Sequence, residues 1–186
     1  MRLSMIKYLF CIYLQICFVS LGVSQDSDMY RTASANVSFV SDAPLELIKA
    51  SSTDLDGILN SSTKEFAFLL SINSFVGFNN PLQRIHFQEN YLESNVYPNA
   101  IFKGKILENV DLTADGSYQI RAKGSLNIHG EENEVIIPVS VMTKDGQLNI
   151  ESAFIVILKD YNIRVPRIVN QKIAERIQVK ITATLN

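Results

Sequence analysis

Apolar residues recur at every second position along several stretches of this chain. From Tyr118 the even positions read Tyr118, Ile120, Ala122, Gly124, Leu126 and Ile128, and the odd positions between them read Gln119, Arg121, Lys123, Ser125, Asn127 and His129. Successive side chains of a strand point to opposite faces, so this segment has one apolar and one wet face. The same alternation runs through Phe66, Phe68, Leu70 and Ile72, and through Val135, Ile137, Val139 and Val141. It returns from Leu148 to Leu158 by way of Ile150, Ser152, Phe154 and Val156, and from Ile177 to Leu185 by way of Val179, Ile181 and Ala183. A helical period would scatter these residues around a cylinder. Ile120 and Leu126 are therefore expected inside and Arg121 and Lys123 in solvent, because a one-residue slip would invert every side chain.

Turn residues separate the runs. Asp115-Gly116, Gly130 to Asn133 and Lys144-Asp145-Gly146 fall between the Ile101–Leu112 segment and the strands that follow. Asp-Gly between alternating runs predicts a hairpin, since glycine accepts positive φ. Earlier strands are predicted over Ala33–Val40, Leu45–Ser51, Leu55–Leu59 and Glu65–Ile72. Asn80-Pro81 supplies an N-cap and a first-turn proline for a short helix carrying Leu82, Ile85, His86, Glu89 and Leu92. Pro166 predicts a second short helix through Ile168, Val169 and Ile173. The fold class is all-β and antiparallel, with about eight or nine strands and one or two short helices. Sandwich and closed barrel both hide such an apolar face, and the long strands favour the barrel.

The N-terminus breaks the pattern. Arg2 and Lys7 precede an apolar run from Tyr8 to Val19, and Gly22 and Ser24 suit cleavage before Gln25. Residues 1–24 are read as a secretory signal peptide, because the apolar run within them is shorter than the roughly 20 apolar residues of a membrane span. Residues 25–31 form a lead-in and 32–186 the barrel domain, which the signal directs to the periplasm or the exterior. Cys11 and Cys17 both lie in the signal, so the exported domain uses no disulfide, thiolate nucleophile or cysteine metal site. The chain carries a formal charge of −2, and losing Arg2 and Lys7 makes the remainder more acidic. That argues against a nucleic-acid partner.

No catalytic or metal-binding motif is present: no nucleophile elbow, no phosphate loop and no His-Glu-x-x-His. His86 and His129 are the only histidines. His129 is expected to be solvated beside its turn. His86 allows an enzymatic alternative, with Glu89 one helical turn away as partner carboxylate. The aromatics carry more information. Phe66, Phe68, Phe102 and Phe154 fall on inward faces, as do the small residues Ala122, Gly124 and Ser152. They fill a packed core, which makes a structural or interaction module, or they line a cavity with Gly124 leaving volume behind.

One ordered set of elements carries a resemblance. It runs through Gly57-Ile58, Glu65-Phe66-Ala67-Phe68, Ser74-Phe75, Arg84-Ile85-His86-Phe87 and Tyr91-Leu92-Glu93-Ser94 to Tyr97-Pro98-Asn99-Ala100-Ile101-Phe102-Lys103-Gly104. Downstream follow Gly124-Ser125-Leu126-Asn127-Ile128-His129-Gly130 and Asp160-Tyr161-Asn162-Ile163. In this order the chain resembles the YceI-like family of exported lipid-binding proteins, from about Thr32 to Leu185. The resemblance implies a lipocalin-like closed barrel of about eight antiparallel strands that holds a polyisoprenoid or other lipid. By position it implies that Phe68, Phe102, Leu126, Ile128 and Phe154 line the interior, with Phe87 and Tyr91 near the mouth. It implies no catalytic residue, metal or other cofactor. The expected partners are an apolar lipid ligand and, transiently, a membrane.

Overall fold

The structure is a computed structural model in which residues 28–186 are described. The expected signal segment lies outside the described residues. The strands are β1 (Met29–Ala43), β2 (Glu46–Ser52), β3 (Leu55–Asn60), β4 (Glu65–Ser71), β5 (Asn99–Ile106), β6 (Gly116–Ile128), β7 (Glu131–Lys144), β8 (Gln147–Ile157) and β9 (Arg176–Leu185). One short helix, α1 (Pro81–His86), continues into a π-helical turn over Phe87–Tyr91. No helix among the described residues is long and apolar enough to cross a membrane. Every strand pairing is antiparallel. β9 closes the sheet by pairing back onto β1, from Thr32↔Leu185 to Val40↔Gln178.

Nine segments make an eight-stranded barrel because β2 and β3 lie along the same edge of β1. β1 meets β3 through Met29, Tyr30 and Arg31, and β2 from Val37 to Ala43. The two act as one stave broken at Thr53-Asp54, where the Asp54 amide donates to Ser52 Oγ at 3.0 Å. β1 begins at Met29, ahead of the domain boundary expected at Thr32, and Arg31 exchanges backbone hydrogen bonds with Asn186.

The alternation places the faces as expected. Ile120, Ala122 and Leu126 are buried. Arg121 points outward to Glu108, with Nε donating to Oε1 at 2.7 Å, and Lys123 reaches Glu134 at 3.1 Å. Two of the three turns differ in detail. The β6–β7 turn is His129-Gly130, with φ of 54° and 77°, and Asp145-Gly146 repeats that geometry with 51° and 76°. Two successive positive φ values make the two-residue turn whose twist matches a hairpin. β7 therefore starts at Glu131, earlier than the expected turn from Gly130 to Asn133 allowed. Asp115-Gly116 is no hairpin: Gly116 opens β6, and β5 stops at Ile106 rather than running to Leu112.

The loop between β5 and β6 closes one end of the barrel. It tucks Leu112 against Leu148 and Leu185, and all three have no exposed surface. Tyr30, Leu59, Phe66, Ile106 and Ile120 complete this plug. Thr143 Oγ1 donates to the Leu112 carbonyl at 3.1 Å, so the buried backbone there is satisfied.

The opposite end carries the irregular segments. Asn80 caps α1, its Oδ1 accepting from the Gln83 amide at 2.9 Å. Replacing Asn80 by alanine should cost about 1 kcal/mol in chemical denaturation, and aspartate should restore most of it. The second expected helix shrinks to a single 3₁₀ turn over Arg167–Val169. Ile168 and Val169 are both β-branched, and a run this short cannot repay the cost of helix nucleation.

Candidate ligand-binding cavity

Above the plug the barrel encloses a cavity of about 540 Å³. That lies within the roughly 300–1,000 Å³ of small-molecule sites. Packed interiors leave few voids larger than a water molecule, so this is not an ordinary core. Pairing builds its wall: Phe68 stands opposite Phe102, Phe102 opposite Leu126, and Phe154 opposite Val179. The Phe66 ring lies 4.8 Å from Phe102 and 6.0 Å from Phe68. Gly57 faces Phe68 across β3 and β4, and a Cβ there would overlap the Phe68 ring. The missing side chain thus leaves the ring its place.

A second aromatic group borders the cavity nearer the mouth. Phe39 stacks on Phe87 at 5.4 Å, and Phe75 and Phe78 stand 5.6 and 5.2 Å from Phe87. The π-helical turn, closed by the Leu92 amide donating to the Phe87 carbonyl at 2.9 Å, carries both Phe87 and Tyr91 to the wall. Burial pushes the Tyr91 phenol above its ordinary pKa, so it stays neutral.

Seven of the eight expected lining residues are brought together: Phe68, Phe87, Tyr91, Phe102, Leu126, Ile128 and Phe154 all border the cavity. Gly124 does not. It pairs with Gly104, and a Cβ on it would overlap the Lys103 carbonyl oxygen and lie 2.9 Å from Gly104 Cα. Its missing side chain lets two strands approach closely rather than leaving room for a ligand. Among the small residues, Ala122 and Ser152 do border the cavity. Phe39 was missed, although it shares parity with Val37 in β1.

The ionic groups of the wall sit at the open end. Glu46 comes from the β1–β2 hairpin and Lys172 from the segment after Pro166, and Asn80, Gln83 and His86 come from α1 and its cap. Gln83 Nε2 donates to Glu46, Asn79 Nδ2 to the Leu47 carbonyl at 3.0 Å, and the Leu45 amide to the Gln171 carbonyl at 2.9 Å. These bonds tie hairpin, helix and segment into one rim. Deeper, Ser152 Oγ donates to the Pro138 carbonyl at 2.8 Å. Among the described residues no buried side-chain polar atom lacks a partner. The depth of the cavity therefore offers a ligand apolar contact, and the rim offers polar contact.

His86 lies at this rim, and no ion pair joins it to Glu89 among the described residues. The histidine–carboxylate contact instead involves His129, whose side chain is 12% exposed rather than solvated. Its Nε2 lies 2.9 Å from Glu93 Oε2 and its Nδ1 3.1 Å from the Tyr161 carbonyl, while Tyr97 meets the ring edge-on at 4.9 Å. Asn133 Nδ2 donates to the Asp160 carbonyl and Asn162 Nδ2 to Glu131. The elements Tyr91 to Tyr97, Gly124 to Gly130 and Asp160 to Ile163 are thus laced together beside the barrel wall.

An eight-stranded antiparallel barrel, sealed at one end and apolar within, makes this a lipocalin-like barrel protein. The YceI-like domain matches residues 30–185, and the chain belongs to the YceI-like family. A polyisoprenoid binding domain from Saccharophagus degradans, implicated in plant cell wall breakdown, superposes with a TM-score of 0.72 at 14% identity. That match covers 84% of this chain and 97% of the other. BcnA of Burkholderia cenocepacia gives 0.67 at 16% identity, covering 81% and 95%. A YceI protein of Campylobacter jejuni gives 0.57 at 15%, covering 73% and 82%. No curated sequence matches the chain significantly.

Proposed function

We propose that this protein is an exported binding protein that holds a long apolar lipid, a polyisoprenoid such as an isoprenoid quinone or its precursor, inside the barrel for carriage or sequestration. The observation that carries the reading is the apolar cavity with both of its ionic wall residues, Glu46 and Lys172, at the open end. The chain would lie in the aromatic depth and the head group at the rim. Burying each CH₂ contributes about 0.8 kcal/mol, so a long chain is held without a charged anchor in the interior. Phe68, Phe87, Tyr91, Phe102, Leu126, Ile128 and Phe154 are its proposed contacts. The polyisoprenoid-binding relative from S. degradans supports the ligand class, and the signal-like N-terminus supports export to the periplasm or beyond.

A filled-core module is the less favoured reading, because 540 Å³ of space remains inside the barrel. Delipidated protein titrated with isoprenoid alcohols of increasing length provides the test. Affinity should rise with each added unit until the cavity is filled, then level off. Affinity independent of chain length would contradict the reading.

A further inference from the structure

The rim of the cavity is apolar on its outside as well. Leu82 borders the cavity and is also 57% exposed. Leu45, at the tip of the β1–β2 hairpin, is 67% exposed, and Ile168 is 92% exposed. The hydrogen bond from the Leu45 amide to the Gln171 carbonyl places the hairpin tip beside the segment that carries Ile168. Val169, Lys172 and Ile173 of that segment border the cavity, so Ile168 stands next to the opening. Single exposed apolar side chains are ordinary, but three ringing one apolar opening are not.

The charge around them is also uneven. The chain as a whole is acidic at −2, yet residues 164–176 carry Arg164, Arg167, Lys172 and Arg176 against the single acid Glu175. None of these four cations takes part in an ion pair among the described residues. The nearby carboxylate of Glu46 is engaged by Gln83.

We propose that this rim docks on an anionic phospholipid bilayer, with Leu45, Leu82 and Ile168 entering the interface and Arg167 and Lys172 meeting lipid phosphates. The proposal rests on the reading of the cavity as a lipid site. A long isoprenoid resides in membranes and not free in water, so the opening must meet a bilayer for the chain to enter. Apolar side chains beside basic ones are what an interfacial surface requires.

Vesicle flotation tests it, with pure phosphatidylcholine compared with vesicles containing about a third phosphatidylglycerol. Wild type should float with the anionic vesicles and far less with the neutral ones. Leu45→Ser/Ile168→Ser and Arg167→Glu should each lower the anionic partition by about tenfold or more. None of these three residues borders the cavity, so lipid already bound should be retained and the fold unchanged by circular dichroism. Equal flotation with both vesicle types, or equal flotation by wild type and the double variant, would overturn the docking surface. Flotation lost in the variants, from protein whose extracts contain no lipid, would uphold the surface while removing the cavity reading.

Discussion

Phenylalanine in place of Ser152 is expected to empty the barrel of ligand while leaving it folded. Ser152 points into the cavity from the middle of β8, between Ile150 and Phe154 on the same face. A phenyl ring there would occupy space that the protein itself leaves unfilled. The cost to the fold is the lost hydrogen bond to the Pro138 carbonyl, about 1 kcal/mol. The cost to binding is larger. A ring that excludes about four methylene groups removes roughly 3 kcal/mol, or about a hundredfold in affinity. Isoprenoid titration and chemical denaturation of the same preparation separate the two effects. Unchanged binding with a marked fall in stability would mean that side chains already fill this level of the barrel.

Gly124 should respond in the opposite way. Gly124→Phe is expected to cost at least about 3 kcal/mol and to give little folded protein, because its Cβ meets the backbone of β5 and not the cavity. The diagnostic comparison is Gly124→Ala. The overlap with the Lys103 carbonyl arises at the first side-chain atom, so alanine should already destabilise strongly. Were Gly124 merely a cavity-lining position, alanine would be tolerated and only phenylalanine would matter. Thermal melts of the two variants decide between these cases.

The contrast between Ser152 and Gly124 shows how far the sequence could be read. Both have inward parity, and period-2 alternation sorts residues between two faces with no reference to neighbouring strands. It therefore located Phe68, Phe102, Leu126, Ile128 and Phe154 on the wall. It could not show that Gly124 stands directly opposite Gly104, a relation set by the pairing of β5 with β6. The barrel plug was equally hidden. Leu112 lies in a loop with no periodicity, and it is buried only because that loop folds across the barrel end. His129 looked like a solvated turn residue because its partners, Glu93 and the Tyr161 carbonyl, are 36 and 32 positions away. The rim, assembled from the β1–β2 hairpin, α1 and the segment after Pro166, left only the helix starts at Asn80-Pro81 and Pro166 as local signatures, and neither shows that the three segments meet.

Whether the cavity holds a long apolar lipid is decided by mass spectrometry of an organic extract of the purified wild-type protein, with Ser152→Phe prepared in parallel. The expected result is a long isoprenoid lipid near one molecule per wild-type barrel, strongly reduced in the variant. Wild-type extracts without bound lipid, or equal amounts of lipid from both proteins, would contradict it.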